Sequence, residues 1–142
     1  MSRVQLAVNV QNLQESIAFY SKMFGTEPAK VREGYANFAI SEPPLKLVLI
    51  ETKSDGVSEY QHLNHLGVEL ESAQLVEQAI DTFSDLGLVE KIEKNETCCF
   101  AVQDKVWMTS PDGAPWEYYT VLADAPAFRT NIAVLPGGDC CS

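Results

Sequence analysis

Residues 64–87, NHLGVELESAQLVEQAIDTFSDLG, restart a pattern that residues 4–25, VQLAVNVQNLQESIAFYSKMFG, have already run once. In the first copy, residues 4–10 alternate between apolar and polar in the manner of a strand. Asn12 follows as a helix N-cap, with Glu15 three residues on completing a capping box. Leu13, Ile17, Tyr20 and Phe24 then recur at helical spacing, and Gly25 supplies the left-handed stop. In the second copy, residues 64–70 form the strand and Ser72 caps a helix. Leu75, Ala79, Phe83 and Leu86 are expected as its buried stripe, and Gly87 ends it.

Short β-rich segments follow each copy. After Gly25 they are expected at 29–31, 35–40 and 46–50. After Gly87 they are expected at 89–92, 97–102, 105–108 and 116–122, with Pro111-Asp112-Gly113 as a tight turn feeding the last. A self-similarity of about 60 residues is too long for a solenoid repeat and reads as a duplicated supersecondary unit. The expected architecture is α+β, a single domain of two βαβββ modules at 1–50 and 62–122. A polar linker at 51–61 joins them, and the tail at 123–142, which lacks periodicity, is expected to be mobile.

Length and charge limit the roles such a domain can take. At 142 residues the chain can bury a core without staples. Twenty acidic residues against ten basic ones leave a formal charge of −10, which repels phosphate backbones and anionic lipid. Nucleic acid and membrane are therefore excluded as partners. No apolar run nears the ~20 residues of a membrane span, and the N-terminus carries no secretory signal pattern, which points to the cytoplasm. In that reducing compartment the four cysteines are expected as thiols. They fall in two adjacent pairs, Cys98-Cys99 and Cys140-Cys141. Neighbouring Cα atoms ~3.8 Å apart suit a disulfide poorly, so each pair reads as soft-ligand or redox chemistry.

The duplication also aligns candidate metal donors. In its register Gln5 matches His65, and a pseudo-twofold packing of the modules brings them face to face. Strand alternation puts Gln5, Ala7 and Asn9 on one face, and likewise His65, Gly67 and Glu69. Glu117 stands between Trp116 and Tyr118 on the final strand. An amide, an imidazole and a carboxylate from three strands form one face of an octahedron, the logic of the facial triad at non-haem iron. Each also has an ordinary reading: a hydrogen-bonded structural histidine, a solvated Gln5, a water-facing Glu117. His62, at the end of the linker, reads as a surface residue.

Four segments carry a resemblance to a known family: Asn64-His65-Leu66-Gly67, Glu96-Thr97-Cys98-Cys99, Asp104-Lys105-Val106-Trp107 and Pro111-Asp112-Gly113-Ala114-Pro115-Trp116-Glu117. The chain resembles the vicinal oxygen chelate (glyoxalase/bleomycin resistance/extradiol dioxygenase) superfamily. Within it, the chain is similar to the iron(II)-dependent carbon–arsenic lyases and the cadmium-induced proteins. The resemblance implies a curved mixed sheet around one metal site per chain. It assigns Gln5, His65 and Glu117 to Fe(II), Cys98 and Cys99 to a trivalent organoarsenical such as methylarsonous acid, and dioxygen to the role of co-substrate. It implies a homodimer, or modules exchanged between chains, as an alternative to a self-contained chain. Gln5 departs from the His or Glu commonest at this position in the superfamily, and a neutral amide oxygen implies looser metal binding. Lys46, near the equivalent of Glu117 in the first module, cannot complete a second site.

Consecutive strand residues point to opposite faces, so gripping one arsenic with Cys98 and Cys99 requires a break in the strand. Residues 93–97, EKNET, are expected to be that break, a mobile loop closing on substrate. Cys140 and Cys141 are candidate accessory thiols, and Tyr118 is a candidate pocket wall. Two rival functions stay open. One is sequestration of cadmium or arsenicals without lyase chemistry. The other is a different dioxygenase or lyase of the superfamily, in which the cysteines are incidental.

Overall fold

The computed structural model describes residues 2–53 and 61–126. Most of the expected linker and tail, with Cys140 and Cys141, lies outside those residues. Within them the first module is β1 (Arg3–Val10), α1 (Leu13–Phe24), β2 (Lys30–Arg32), β3 (Tyr35–Ile40) and β4 (Leu45–Glu51). The second is β5 (Leu63–Glu69), α2 (Ala73–Asp85), β6 (Lys91–Cys98), β7 (Ala101–Thr109) and β8 (Pro115–Asp124). The four β-rich segments expected after Gly87 resolve into three strands. The boundary between β6 and β7 falls at Cys99-Phe100 rather than after Val102.

Both helices begin and end as their sequences dictate. Asn12 accepts from the Glu15 backbone N–H and Gly25 adopts φ 64° at the C-cap of α1. Ser72 accepts from the Leu75 N–H at 3.2 Å. The buried stripe of α2 is Val76 and Ile80, with Phe83 packed beside them, one position away from the expected Leu75 and Ala79. Leu86 lies past the last helical turn and is exposed, which corrects its assignment to the core.

All eight strands form one mixed sheet in the order β2-β3-β4-β1-β5-β8-β7-β6. The modules join where β1 pairs antiparallel with β5, and each parallel pairing lies inside a module, β1 with β4 and β5 with β8. Helix α1 covers Ala36, Phe38, Leu47 and Leu49, and α2 covers Val106 and Tyr118. The opposite face curls on itself. The ring of Tyr35 on β3, near one edge, packs at a tilt 5.4 Å from that of Phe100 at the far end of the strand order. A second core of Ala7, Tyr35, Val48, Ile50, Cys98 and Phe100 fills part of the resulting trough. Lys46, Gln5, Gly67, Glu117 and Trp107 are register partners in one row across β4, β1, β5, β8 and β7. Two residues along, Arg3, Glu69, Tyr119 and Lys105 form a second row. Period 2 puts both rows on the same face.

Candidate metal and thiol site

The trough holds a cavity of about 260 Å³ whose lining includes Gln5, Lys46, His65, Glu69, Cys99, Gln103 and Glu117. Gln5, His65 and Glu117 are each at least 95% buried. Their polar ends converge: Gln5 Nε2 lies 3.1 Å from His65 Nε2 and 2.8 Å from Glu117 Oε1, and His65 Nε2 lies 3.2 Å from Glu117 Oε1. Donors roughly 2.0–2.2 Å from one first-row ion and at right angles to each other are about 3.0 Å apart, so this triangle has the size of one octahedral face. Among the described residues no three His, Cys, Asp or Glu side chains gather around a point; the third polar group of this triangle is the amide of Gln5.

Neighbouring groups prepare each donor. The backbone carbonyl of Gln61 is an acceptor only, so it fixes a chain of amides: Asn9 Nδ2 donates to it at 2.7 Å. Asn64 Nδ2 donates to Asn9 Oδ1 at 3.0 Å, which leaves Asn64 Oδ1 facing His65 Nδ1 at 2.8 Å. His65 therefore carries its proton on Nδ1 and turns the Nε2 lone pair into the cavity. Glu117 divides its oxygens: Oε2 accepts from Lys105 Nζ at 2.8 Å, and Oε1 faces Gln5 and His65. Burial opposes ionisation of Glu117, but the buried Lys105 ammonium outweighs it and holds the carboxyl well below the usual carboxylate range.

Gly67 makes room for the triangle. A Cβ there would lie 3.0 Å from both Glu117 Cγ and Glu117 O, and 3.6 Å from Gln5 Cβ. Above it, the His65 ring meets the edge of Trp107 at 5.4 Å.

The cysteine pair sits at the hairpin between β6 and β7. Cys98 opposes Ala101, and Cys99 (φ 52°) and Phe100 (φ 62°) form the two-residue connection. Positive φ at both central residues is the type I′ geometry, which ends the strand alternation and lets neighbouring side chains share a side. The two sulfurs are 3.4 Å apart, beyond a bond to each other. Neither is a free thiol: both are disulfide-bonded in the structure, which corrects the expectation of thiols. Reduction would leave two sulfurs near enough for one thiophilic atom to touch both. Cys98 is fully buried and Cys99 lines the cavity. A left-handed residue other than glycine costs roughly 1–3 kcal/mol, and fixed contacts hold these two. Gln103 Nε2 donates to Cys98 O at 3.0 Å, Lys30 Nζ and the Ala125 N–H donate to Phe100 O at 3.2 and 2.8 Å, and the Phe100 ring lies against Tyr35.

This turn corrects the expected loop at 93–97. Those residues are strand, interrupted only by a bulge that shifts the β6–β7 register between Glu93 and Glu96. Asn95 takes φ 56° there and its N–H donates to Asp104 Oδ1. The break that the thiols require comes directly after Cys98. Tyr118 is also corrected: it points to the helix side, 4.9 Å from Phe83. The tyrosine on the cavity side is Tyr119, which sequence reasoning missed, together with Lys105. Stepping two residues from Glu117 along its strand would have found Tyr119.

The model of the Glyoxalase/Bleomycin resistance protein/Dioxygenase superfamily matches residues 3–118. The chain belongs to this superfamily. Among its curated relatives, the cadmium-induced protein CadI of Mycobacterium tuberculosis is 56% identical over 131 residues, covering 92% of this chain and 84% of that protein. The trivalent organoarsenical cleaving enzyme of Thermomonospora curvata is 49% identical, covering 99% of this chain and all of that protein. Solved structures share the fold at low identity. An extradiol ring-cleaving dioxygenase from B. fuscum gives a TM-score of 0.61 at 19% identity, over 87% of this chain and 33% of that one. An Mn(II)-bound glyoxalase from Novosphingobium aromaticivorans gives 0.58 at 18%, over 88% of this chain and 42% of that one. No helix among the described residues is long and apolar enough to cross a membrane.

Proposed function

We propose that this protein is an enzyme that oxidatively cleaves the carbon–arsenic bond of trivalent organoarsenicals such as methylarsonous acid, releasing arsenite and an oxidised one-carbon product. One observation carries the reading: Cys99, whose sulfur lies 3.4 Å from that of Cys98, lines the same cavity as Gln5, His65 and Glu117. A thiophilic clamp and a three-donor metal face in one pocket suit a substrate whose reacting atom is arsenic. The full-length similarity to the T. curvata enzyme supports the same substrate class.

In this reading Cys98 and Cys99, once reduced from the disulfides in which the structure holds them, bind arsenic as thiolates and hold its carbon substituent inside the cavity. Gln5 Oε1, His65 Nε2 and Glu117 Oε1 would hold iron(II). When bound, iron(II) would supply the one-electron chemistry that activates dioxygen, the co-substrate, for attack on the carbon–arsenic bond. Asn64 keeps the His65 lone pair directed inward, and Lys105 keeps Glu117 ionised. The test is anaerobic protein given iron(II), methylarsonous acid and then dioxygen. Arsenite is expected, and a yield no higher than that of the Cys98→Ser variant sinks the proposal.

Similarity to a cadmium-induced protein at 56% identity favours a second reading, sequestration of a soft metal by the cysteines alone. Cadmium binding that survives His65→Ala but not cysteine substitution, with no arsenite formed, would favour it.

A further inference from the structure

The orientation of the Gln5 carboxamide decides whether the triangle can take a cation. In the structure Nε2 faces His65 and Glu117, and Oε1 faces the Tyr119 hydroxyl. That orientation satisfies Glu117 with an amide N–H but presents no oxygen to a metal. Turning the carboxamide by 180° occupies the same volume and exchanges the two atoms.

The surroundings of Tyr119 favour the turned state. Its hydroxyl has one proton and two neighbours that both accept, Gln5 Oε1 and Glu69 Oε2, the latter at 2.9 Å. Glu69 is paired with Arg3 at 3.1 Å and Lys46 at 3.1 Å, so it is a carboxylate and accepts only. If Tyr119 donates to Glu69, the tyrosine oxygen meets the oxygen of Gln5 with no proton between them. In the turned state every partner is matched: Gln5 Nε2 donates to Tyr119, Tyr119 donates to Glu69, and Glu69 accepts from Arg3 and Lys46. Gln5 Oε1 then joins His65 Nε2 and Glu117 Oε1 as three lone-pair donors with no proton among them, an arrangement that a cation satisfies.

We infer that Tyr119, oriented by Glu69, is the positioning residue that turns the Gln5 amide oxygen toward the metal. The inference rests on the proposed site at Gln5, His65 and Glu117. It parallels the Gln61–Asn9–Asn64 chain that sets the His65 tautomer: in both, a group that can only accept fixes the polarity of a neutral donor. The superfamily's commoner His or Glu at this position needs no such device in the carboxylate case, because a carboxylate offers oxygen on both sides.

The test is cobalt(II) affinity, measured by competition with a chromophoric chelator, for the wild type, Tyr119→Phe, Gln5→Glu, the double variant and His65→Ala. Tyr119→Phe keeps the ring that fills this buried position, and thermal melts of the metal-free proteins register any loss of fold. Tyr119→Phe is expected to weaken binding about 10–100-fold, the range for loss of a group that orients a ligand. In the Gln5→Glu background the same change is expected to matter less than about threefold, because glutamate has no wrong orientation. Equal losses in both backgrounds, or Tyr119→Phe within threefold of wild type while His65→Ala abolishes binding, would overturn the inference and leave the metal site standing. Wild-type affinity in His65→Ala would overturn both.

Discussion

Gly67 and Glu117 face each other across β5 and β8 so closely that a Cβ on residue 67 would lie 3.0 Å from the Cγ and from the carbonyl oxygen of Glu117. The side-chain atom can give way, but the backbone oxygen belongs to a paired strand and cannot. Gly67→Ala is therefore expected to push the Glu117 carboxylate out of the triangle. Overpacking of this kind costs typically 1–3 kcal/mol. Divalent-metal affinity should fall at least tenfold, roughly the effect of disturbing a ligand's support, and calorimetry of the metal-free and metal-loaded variant reads both effects.

Lys105 and Glu117 form a buried pair, with side chains 1% and 3% exposed. Lys105→Met leaves a buried carboxylate without its cation, a change that costs on the order of 3–5 kcal/mol. Urea denaturation of the metal-free protein at neutral pH measures the loss. Near-native stability would show that the pair contributes little to the fold.

The same pair sets an acid limit. The Glu117 carboxyl sits at about 2 in the fold against an ordinary 4.5. A folded-state value below the unfolded one gives stability that is fully present above pH 4.5 and lost as pH falls toward 2. For metal-free protein this contribution is on the order of 3 kcal/mol. Glu117→Gln should flatten that part of the stability–pH curve, measured by urea midpoints between pH 5 and pH 2.5.

Asn64 acts on the metal only through His65. Asn64→Ala removes the acceptor for Nδ1–H, frees the tautomer and is expected to weaken metal binding about 10–100-fold. Binding of a trivalent arsenical to the cysteines should be unchanged, since the turn at Cys99 draws its support from Gln103, Lys30 and Ala125. Parallel titrations with cobalt(II) and phenylarsine oxide separate the two sites.

Cys98 and Cys99 differ in burial, and their variants should differ too. In reducing buffer Cys98→Ser places a hydroxyl at a fully buried position and is expected to cost about 1–3 kcal/mol. Cys99→Ser, at the half-buried position on the cavity wall, should stay within about 0.5 kcal/mol of wild type. Both should lose chelation of the arsenical, as measured by tryptophan fluorescence on titration.

Much of this architecture was legible in the sequence because it is periodic. The duplication, the caps at Asn12 and Ser72, and the strand face shared by Gln5 and His65 all follow from spacing. Tyr119 was legible from Glu117 by the same rule, but aromatic residues on a final strand read first as core. What spacing cannot show is pairing register: it is the β5–β8–β7 register that aligns Gly67 with Glu117, and Tyr119 with Lys105. The turn at Cys99-Phe100 was hidden for a different reason. A type I′ connection ordinarily announces itself with Asn or Gly, whereas here tertiary contacts hold two residues that avoid positive φ. The polar run at 93–97 looked more like a break than the apolar pair beside it.

The central claim is that one cavity holds a metal at Gln5, His65 and Glu117 beside arsenic at Cys98 and Cys99. A crystal structure of the protein loaded anaerobically with cobalt(II) and methylarsonous acid tests it most directly. The account predicts one ion within about 2.0–2.3 Å of Gln5 Oε1, His65 Nε2 and Glu117 Oε1, and arsenic bonded to both sulfurs in the same cavity. An ion seated on the cysteines, with the Gln5 amide nitrogen still donating to Glu117, would contradict it.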